Sequence, residues 1–341
     1  MGFFDFFTCD IAIDLGTANT LIIYNDKIVV DEPSIIALDQ LNGKVLAIGR
    51  EAMLMHEKTH NNIRTIRPLK EGVIADFHAA EMMIRGFIKM IDTGKRLFPP
   101  SLKMVICIPS AITEVEKRAV RDSAEHANAK EVYLIHEPIA AAIGIGIDIE
   151  RPIGNMIVDI GGGTTDIAVI SLTGIVCDQS IRIAGDTFNS DILDYMRRQH
   201  NLLIGERTSE RIKIEIGSAL TDLVDPPEDG EVRGRDLMTG IPKTLKVSYS
   251  EIAFALDKSI SKLEDAILKA LEHSPPELSA DIYERGIHLT GGGALLRGLN
   301  KRLEMKTQVP VHVADDPLRV VARGTGKALK NISHYKRLLM T

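Results

Sequence analysis

Two short stretches place a carboxylate at the end of an apolar run and follow it at once with glycines and hydroxyls. They are DLGTANT, from Asp14 to Thr20, and DIGGGTT, from Asp159 to Thr165; a third glycine run, Gly291–Gly293, follows HLT. Glycine lets a backbone approach a ligand closely, and successive turn N–H groups form a concave anion site. A carboxylate beside such a turn can hold hydrated Mg²⁺, which keeps several waters and uses only one or two protein carboxylates. The chemistry on offer is therefore phosphate binding. Asp14 would reach the metal while the N–H groups of Leu15 to Ala18 and the hydroxyls of Thr17 and Thr20 meet phosphates. Asp159 with Gly161–Thr165 would do the same from a second site. A tight structural turn is the plain alternative for either stretch alone, and Asp14 is then a turn former.

The form of the loops narrows the class. No GxxxxGK[ST] occurs, and neither hairpin opens a helix in the GxGxxG manner, so P-loop and dinucleotide-binding readings fall away. Another acidic candidate is Glu137, in HEP ahead of the small-residue run IAAAIGIGI; it can orient a water or simply cap a helix start.

These residues need strands ending at the acids. CDIAIDLGTANTLIIYNDKIVV reads as strands joined by turns, with imperfect alternation as in strands buried on both faces. Residues 35–70 read as a polar, irregular insert with a short helix near Glu51–Lys58. Asp76–Met90 is helical in pattern, KMVICIP is a buried strand, and TEVEKRAVRDSAEHAN is a helix capped by Thr113 with Glu116 at its third position. Residues 188–225 read as mainly helical and 226–240 as an exposed polar hairpin or loop. YSEIAFALDKSISKLEDAILKALEHS is the longest helix, and a closing helix spans about Val320–Lys330. DLGTANTLIIY and DIGGGTTDIAVI share one layout, which is an internal duplication. The fold class is α/β, with two related lobes enclosing a cleft.

Composition excludes several functions. The 341 residues can bury a substantial core, and the formal charge of −6 has no basic footprint for nucleic acid. Cys9, Cys107 and Cys177 have no zinc or redox spacing and read as buried thiols in a reducing compartment. No apolar run reaches the ~18 residues of a membrane-spanning helix. MGFFDFF carries Phe3, Phe4, Phe6 and Phe7 yet lacks the marks of a secretion signal, leaving an aromatic segment for membrane contact or for packing against the body. In GKRLFPP, Leu97 and Phe98 form an apolar tip beside Lys95 and Arg96; packing beneath the prolines is the alternative.

The motifs together resemble the actin, sugar-kinase and heat-shock-chaperone ATPase superfamily, and within it the bacterial actin-like rod-shape-determining proteins, the MreB family. The likeness spans nearly the full chain. It is most specific at residues 13–24, HEPIAAAIG, DIGGGTTDIAVIS, IAGDTFNSDI, ERIKIEIGSA and LTGGGALLRGL. The resemblance implies an actin-like, ribonuclease H-like duplicated fold. Residues 1–34, 71–150 and 320–341 would form the core of lobe I, with 35–70 its small subdomain. Lobe II would have a core of 151–187 and 250–319, with 188–249 its small subdomain.

It also implies roles. Asp14, Gly16, Thr17, Ala18, Asn19 and Thr20 would form the first phosphate loop, and Gly161, Gly162 and Gly163 the second. Glu137 would position the attacking water, with Thr164 or Thr165 assisting. Asp14 and Asp159 would be the metal-side carboxylates, Asp159 largely through water. Gly185 and Asp186 would lie near phosphates and ribose, Glu210 and Lys213 near ribose and adenine. Gly291, Gly292 and Gly293 would pass beneath the nucleoside, near the Arg323 region. The implied activity is hydrolysis of ATP with Mg²⁺, coupled to polymerisation into paired, antiparallel protofilaments. Leu97 and Phe98 would match a membrane-insertion loop, and the four phenylalanines a second anchor. The implied partners are further copies of the chain, inner-membrane lipids and membrane-bound elongation and wall-synthesis proteins, with the protein cytoplasmic and peripheral at the membrane. No acceptor-substrate motif for a sugar kinase stands out. A soluble small-molecule kinase of the same fold and a non-polymerising nucleotide switch remain as rivals.

Overall fold

A computed structural model describes residues 8–91 and 101–341. The apolar tip at Leu97 and Phe98 and the phenylalanines at 3, 4, 6 and 7 lie outside the described residues. The chain divides into two compact units, one built from residues up to Pro152 with Ile170–Ile175 and Leu318–Thr341, the other from Ile153–Val169 and Val176–Pro317.

The first unit opens with β1 (Thr8–Leu15), β2 (Asn19–Tyr24) and β3 (Lys27–Pro33), then β4 (Ile36–Asp39), β5 (Val45–Ile48), α1 (Arg50–Met55) and β6 (Ile63–Ile66). A two-residue hairpin, β7 (Leu69–Lys70) with β8 (Val73–Ile74), leads to α2 (Phe77–Lys89). There follow β9 (Ser101–Ile108), α3 (Glu114–His126), β10 (Ala129–His136) and α4 (Glu137–Ile145). Five strands form one sheet in the order β10-β9-β1-β2-β3. β1 runs antiparallel to β2 and parallel to β9, which puts Asp14 directly beside Cys107. Ile11, Ile13, Met104 and Ile106 of these strands are buried with Met83 and Phe87 of α2 in one core. Residues 35–70 are more ordered than their composition suggests, because β4 pairs with both β5 and β6 in a small antiparallel sheet. Its strands are four residues each, too short a run to show a period.

The second unit holds β11 (Asn155–Ile160), β12 (Thr165–Ser171), β13 (Gly174–Ile181), α5 (Gly185–His200), β14 (Leu202–Leu203), α6 (Glu206–Ile216), β15 (Gly230–Asp236) and β16 (Pro242–Val247). It continues with α7 (Tyr249–His273), α8 (Pro276–Arg285), β17 (Ile287–Thr290), a 3₁₀ turn at Gly292–Leu295, α9 (Leu299–Thr307) and β18 (Val311–Val313). Its main sheet has the order β13-β12-β11-β17-β18. Three consecutive strands are thus followed across the sheet by two later ones, as in β3-β2-β1-β9-β10, so the repeat seen in the motifs is a repeat of topology. Met156 and Val158 of β11 are buried with Phe188 and Ile192 of α5 and Leu256 and Ile260 of α7. The helical expectation for 188–225 holds only to Ile216, and β15 with β16 makes a regular hairpin through much of 226–240. Gly217 caps the end of α6 in extended conformation.

The last helix, α10 (Val320–Lys330), belongs to the first unit and packs on α4. The two meet at glycines. A Cβ on Gly324 would strike the Ala140 carbonyl and come within 2.9 Å of the Gly144 nitrogen, and one on Gly144 would lie 2.9 Å from the Val320 carbonyl carbon. Lys327 Nζ closes the contact by donating to the carbonyls of Ile143 and Gly144, at 3.0 and 3.2 Å.

At the start of α3 the expected capping box is present. Thr113 N donates to Glu116 Oε2 at 2.8 Å, and Glu116 N to Thr113 Oγ1 at 3.3 Å. Thr113→Ala leaves these donors to water and is expected to destabilise the first unit by about 1 kcal/mol, read as a fall of a few degrees in its thermal midpoint.

Candidate nucleotide-binding site

β1 ends at Leu15 and the chain turns back into β2 through Gly16, Thr17 and Ala18, with Gly16 N donating to the Asn19 carbonyl at 3.1 Å. Thr17 is buried, and its Oγ1 accepts from Gly72 N at 3.1 Å, leaving the hydroxyl proton for another acceptor. Ala18 is half-buried and Asn19 exposed. Thr20 points inward: it is 1 % exposed and its Oγ1 lies 2.9 Å from Ser34 Oγ. The N–H groups of Thr17 and Ala18 take no acceptor from the chain among the described residues.

Asp14 sits one residue before the strand end. Burial pushes its carboxyl up to about 6, against a downward pull from the Cys107 thiol, which donates to Oδ1 at 3.0 Å. Burial likewise raises Cys107 well above the usual thiol range, and the charges of Asp14 and then Glu137 push it further. One neighbourhood of the first unit therefore contains Asp14, Cys107 and Glu137. Glu137 is the first residue of α4, after His136 at the end of β10 and before Pro138, and it is half-buried.

A half-buried carboxylate with a raised pKa makes a testable mark. Asp14 favours the folded state most fully below its unfolded pKa of 3.8, and that contribution is lost as pH rises through about 6. Asp14→Asn keeps the shape without the charge. In nucleotide-free protein it is expected to melt higher than wild type at pH 7.5, with the gap shrinking towards pH 4.5. Thermal scans at both pH values check this; an equal gap at both would separate the effect from ionisation.

In the second unit the turn after β11 is closed by Gly161 N donating to the Thr164 carbonyl at 2.9 Å. The carbonyls of Gly161 and Gly162 accept from Gly185 N at 3.1 Å and Asp186 N at 2.8 Å, so the start of α5 is fastened to the glycine turn. Gly162 and Gly163 N–H take no acceptor from the chain among the described residues. Thr165 is fully buried and its Oγ1 donates to the Ile183 carbonyl at 2.6 Å. Its one proton is committed, so of the two threonines Thr164 is the one able to donate to a ligand.

Lys213 of α6 reaches across to the Gly185 carbonyl, Nζ to O 3.0 Å, and a Cβ on Gly185 would stand 3.3 Å from both that Nζ and the Gly161 carbonyl. Glu210 lies one turn earlier on α6, half-buried. Asp159 is buried and its Oδ1 accepts from Thr290 Oγ1 at 2.9 Å. Gly291 follows with φ of 78°, and a Cβ there would fall 2.6 Å from Asp159 Oδ1. Only glycine suits that position. Gly292 is exposed, while Gly293 packs against Ile160. The structure thus gathers Gly161–Thr164, Gly185, Asp186, Lys213, Asp159 and Gly291 in the second unit.

Each turn by itself suits phosphate oxygens. N–H groups that take no acceptor from the chain among the described residues stand in both, with a threonine hydroxyl beside them in the second. In the first, a desolvated carboxylate that accepts from a thiol suits a divalent ion. Three contributors escaped sequence reasoning. Cys107 and Ser34 carry no local motif; Thr290 stood visibly before the glycine run.

Comparison with known proteins identifies the family. Residues 8–337 match the family described as MreB/Mbl protein. The chain is 50% identical over 327 residues to the cell shape-determining protein Mbl of Bacillus subtilis (strain 168), covering 96% of this chain and 97% of that one. It is 49% identical over 334 residues to the cell shape-determining protein MreB of Escherichia coli (strain K12), covering 96% and 95%. Among solved structures it resembles MreB 5 of Spiroplasma citri bound to AMPPNP, with a TM-score of 0.91 and 37% identity over 97% of this chain and 98% of that one. The same Spiroplasma protein is solved with ADP bound. The chain belongs to the MreB/Mbl family and has the duplicated α/β actin-like fold.

Proposed function

We propose that the protein binds Mg²⁺–ATP through its two Asp–Gly/Thr turns, hydrolyses it, and polymerises into membrane-associated filaments that organise cell-wall synthesis and maintain rod shape. The observation that carries this reading is the placement of the two turns. Each follows the central strand of a five-stranded sheet of the same order, β1 in one unit and β11 in the other. The cell-shape names of the relatives and the AMPPNP and ADP bound to the Spiroplasma protein support it.

The roles divide between the turns. Backbone N–H groups of Thr17, Ala18, Gly162 and Gly163 and the hydroxyl of Thr164 bind phosphate oxygens. Asp14 and Asp159 would hold Mg²⁺, whose charge would polarise the phosphates. Lys213 and Glu210 border the nucleoside, over Gly291–Gly293. Glu137 orients the water that attacks the γ-phosphorus, and positioning is the main demand on the protein. Cycles of binding and hydrolysis would time assembly into paired antiparallel protofilaments on the inner membrane face. Leu97, Phe98 and the N-terminal phenylalanines would be the weak anchors that a polymer multiplies.

The test is flotation of purified protein with anionic liposomes, with and without ATP–Mg²⁺, alongside phosphate release and imaging of the floated fraction. Filaments that float with ATP and are lost in L97A/F98A or on deletion of residues 3–7 are the expected result. A protein that binds ATP yet neither polymerises nor floats would overturn the reading, and phosphate transfer to an added metabolite would replace it with a kinase.

A further inference from the structure

We propose that Ser34 is a positioning residue for the nucleotide: it locks the first phosphate loop into its binding shape. The inference rests on the nucleotide-binding reading above. Ser34 stands between β3 and β4, 1 % exposed, and has no part in either strand. It makes three hydrogen bonds, two to the β1–β2 turn and one to Thr20 at the start of β2. Its N–H donates to the Ala18 carbonyl at 2.9 Å, its Oγ donates to the Gly16 carbonyl at 2.6 Å, and Thr20 Oγ1 lies 2.9 Å from the same Oγ.

A serine hydroxyl has one proton. Since it goes to Gly16, Thr20 is the donor in the bond between the hydroxyls, giving a relay from Thr20 through Ser34 to the Gly16 carbonyl. Thr20 therefore acts on the loop from inside.

The consequence follows from peptide geometry. In a trans peptide unit the C=O and the next N–H point in opposite directions. Holding the Gly16 carbonyl against Ser34 aims the Thr17 N–H the other way, and holding the Ala18 carbonyl does the same for the Asn19 N–H. Ser34 thus presets the Thr17 N–H, one of the phosphate donors, before any ligand arrives. Donors fixed in advance need not be reorganised when phosphate binds. Ser34 also begins the segment that enters the small β4–β5–β6 sheet, where Ile35 accepts from Gly49 N at 2.9 Å, so the loop is tied to that sheet through one residue.

Two variants test this. Ser34→Cys keeps the volume of a buried side chain but exchanges a strong O–H donor for a weak S–H; Ser34→Thr keeps the hydroxyl. Calorimetric titration of the full-length protein with ATP–Mg²⁺ is expected to show Ser34→Cys binding about tenfold more weakly, the effect of one good hydrogen bond, and Ser34→Thr within about threefold of wild type. At saturating ATP the hydrolysis rate of Ser34→Cys is expected to stay within about twofold of wild type, because the loop binds substrate and transition state alike. Amide exchange should quicken in residues 15–24 of Ser34→Cys and not in β11–β12. An unchanged Kd in Ser34→Cys, with or without a lower melting temperature, would overturn the proposal. A wild-type protein that does not bind ATP–Mg²⁺ would instead overturn the reading on which it rests.

Discussion

Glu137→Gln is expected to bind ATP–Mg²⁺ within about threefold of wild type while its hydrolysis at saturating ATP falls by about a hundredfold or more. The substitution isolates one property. Glutamine keeps the length of the side chain and its place as the first residue of α4, so the fold should lose only the few tenths of a kcal/mol that a negative charge contributes near a helix N-terminus. What disappears is a carboxylate able to orient water and share its proton. The surroundings of Glu137 suit that role. Pro138 fixes the backbone just behind it, β10 delivers it from the sheet, and its charge is felt at Cys107, which bonds to Asp14. The two measurements are phosphate release and nucleotide titration. Hydrolysis close to wild type with intact binding would return Glu137 to a helix-start residue. If the loss occurs, filaments of Glu137→Gln formed with ATP should outlast those of wild type, as the proposed coupling of hydrolysis to assembly requires.

Gly324→Ala is expected to destabilise the first unit by about 3 kcal/mol or more, a large effect for one methyl group. The cause is the kind of neighbour. The added Cβ would meet the Ala140 carbonyl and the Gly144 nitrogen, which are backbone of α4 and cannot move aside as a flexible side chain could. α4 and α10 would have to separate, opening the contact in which Gly324 lies against Ala140 and Gly144 lies against Val320. The expected reading is a thermal midpoint lower by roughly 6 °C or more. A functional loss should accompany it, because α4 carries Glu137 at its start. Gly146→Ala is the control on the same stretch: a Cβ there meets nothing within 4 Å, so only the cost of its left-handed backbone remains, φ being 95°. Equal losses in the two variants would show that helix contact is not the source.

Much of the candidate site was legible because its signals are local. Asp14 and Asp159 each stand just before a glycine turn, and Glu137 before a proline and a small-residue helix. The Thr113–Glu116 box and the bounds of α10 were readable for the same reason: capping and periodicity are decided within a few residues. The duplication also showed, since similar motifs recur at the ends of corresponding strands. The β4–β6 sheet did not show, because strands of four residues leave almost no alternation to read.

The sequence by itself determined which chemistry is available: carboxylates, glycine turns and hydroxyls in two matching copies. Tertiary structure decided which of these groups remain to meet a ligand. Cys107 lies 93 positions from Asp14 and bonds to it only because β1 and β9 pair in parallel with those two residues side by side. Ser34 reaches Gly16 and Ala18 because β2 and β3 form a hairpin that brings its end back beside the turn. Thr20 and Thr165 carry the right hydroxyls, yet one is bonded to Ser34 and the other to the Ile183 carbonyl, while Thr164 keeps its own proton for a ligand. Strand register sets such partners, and register is a property of paired chains rather than of neighbouring residues.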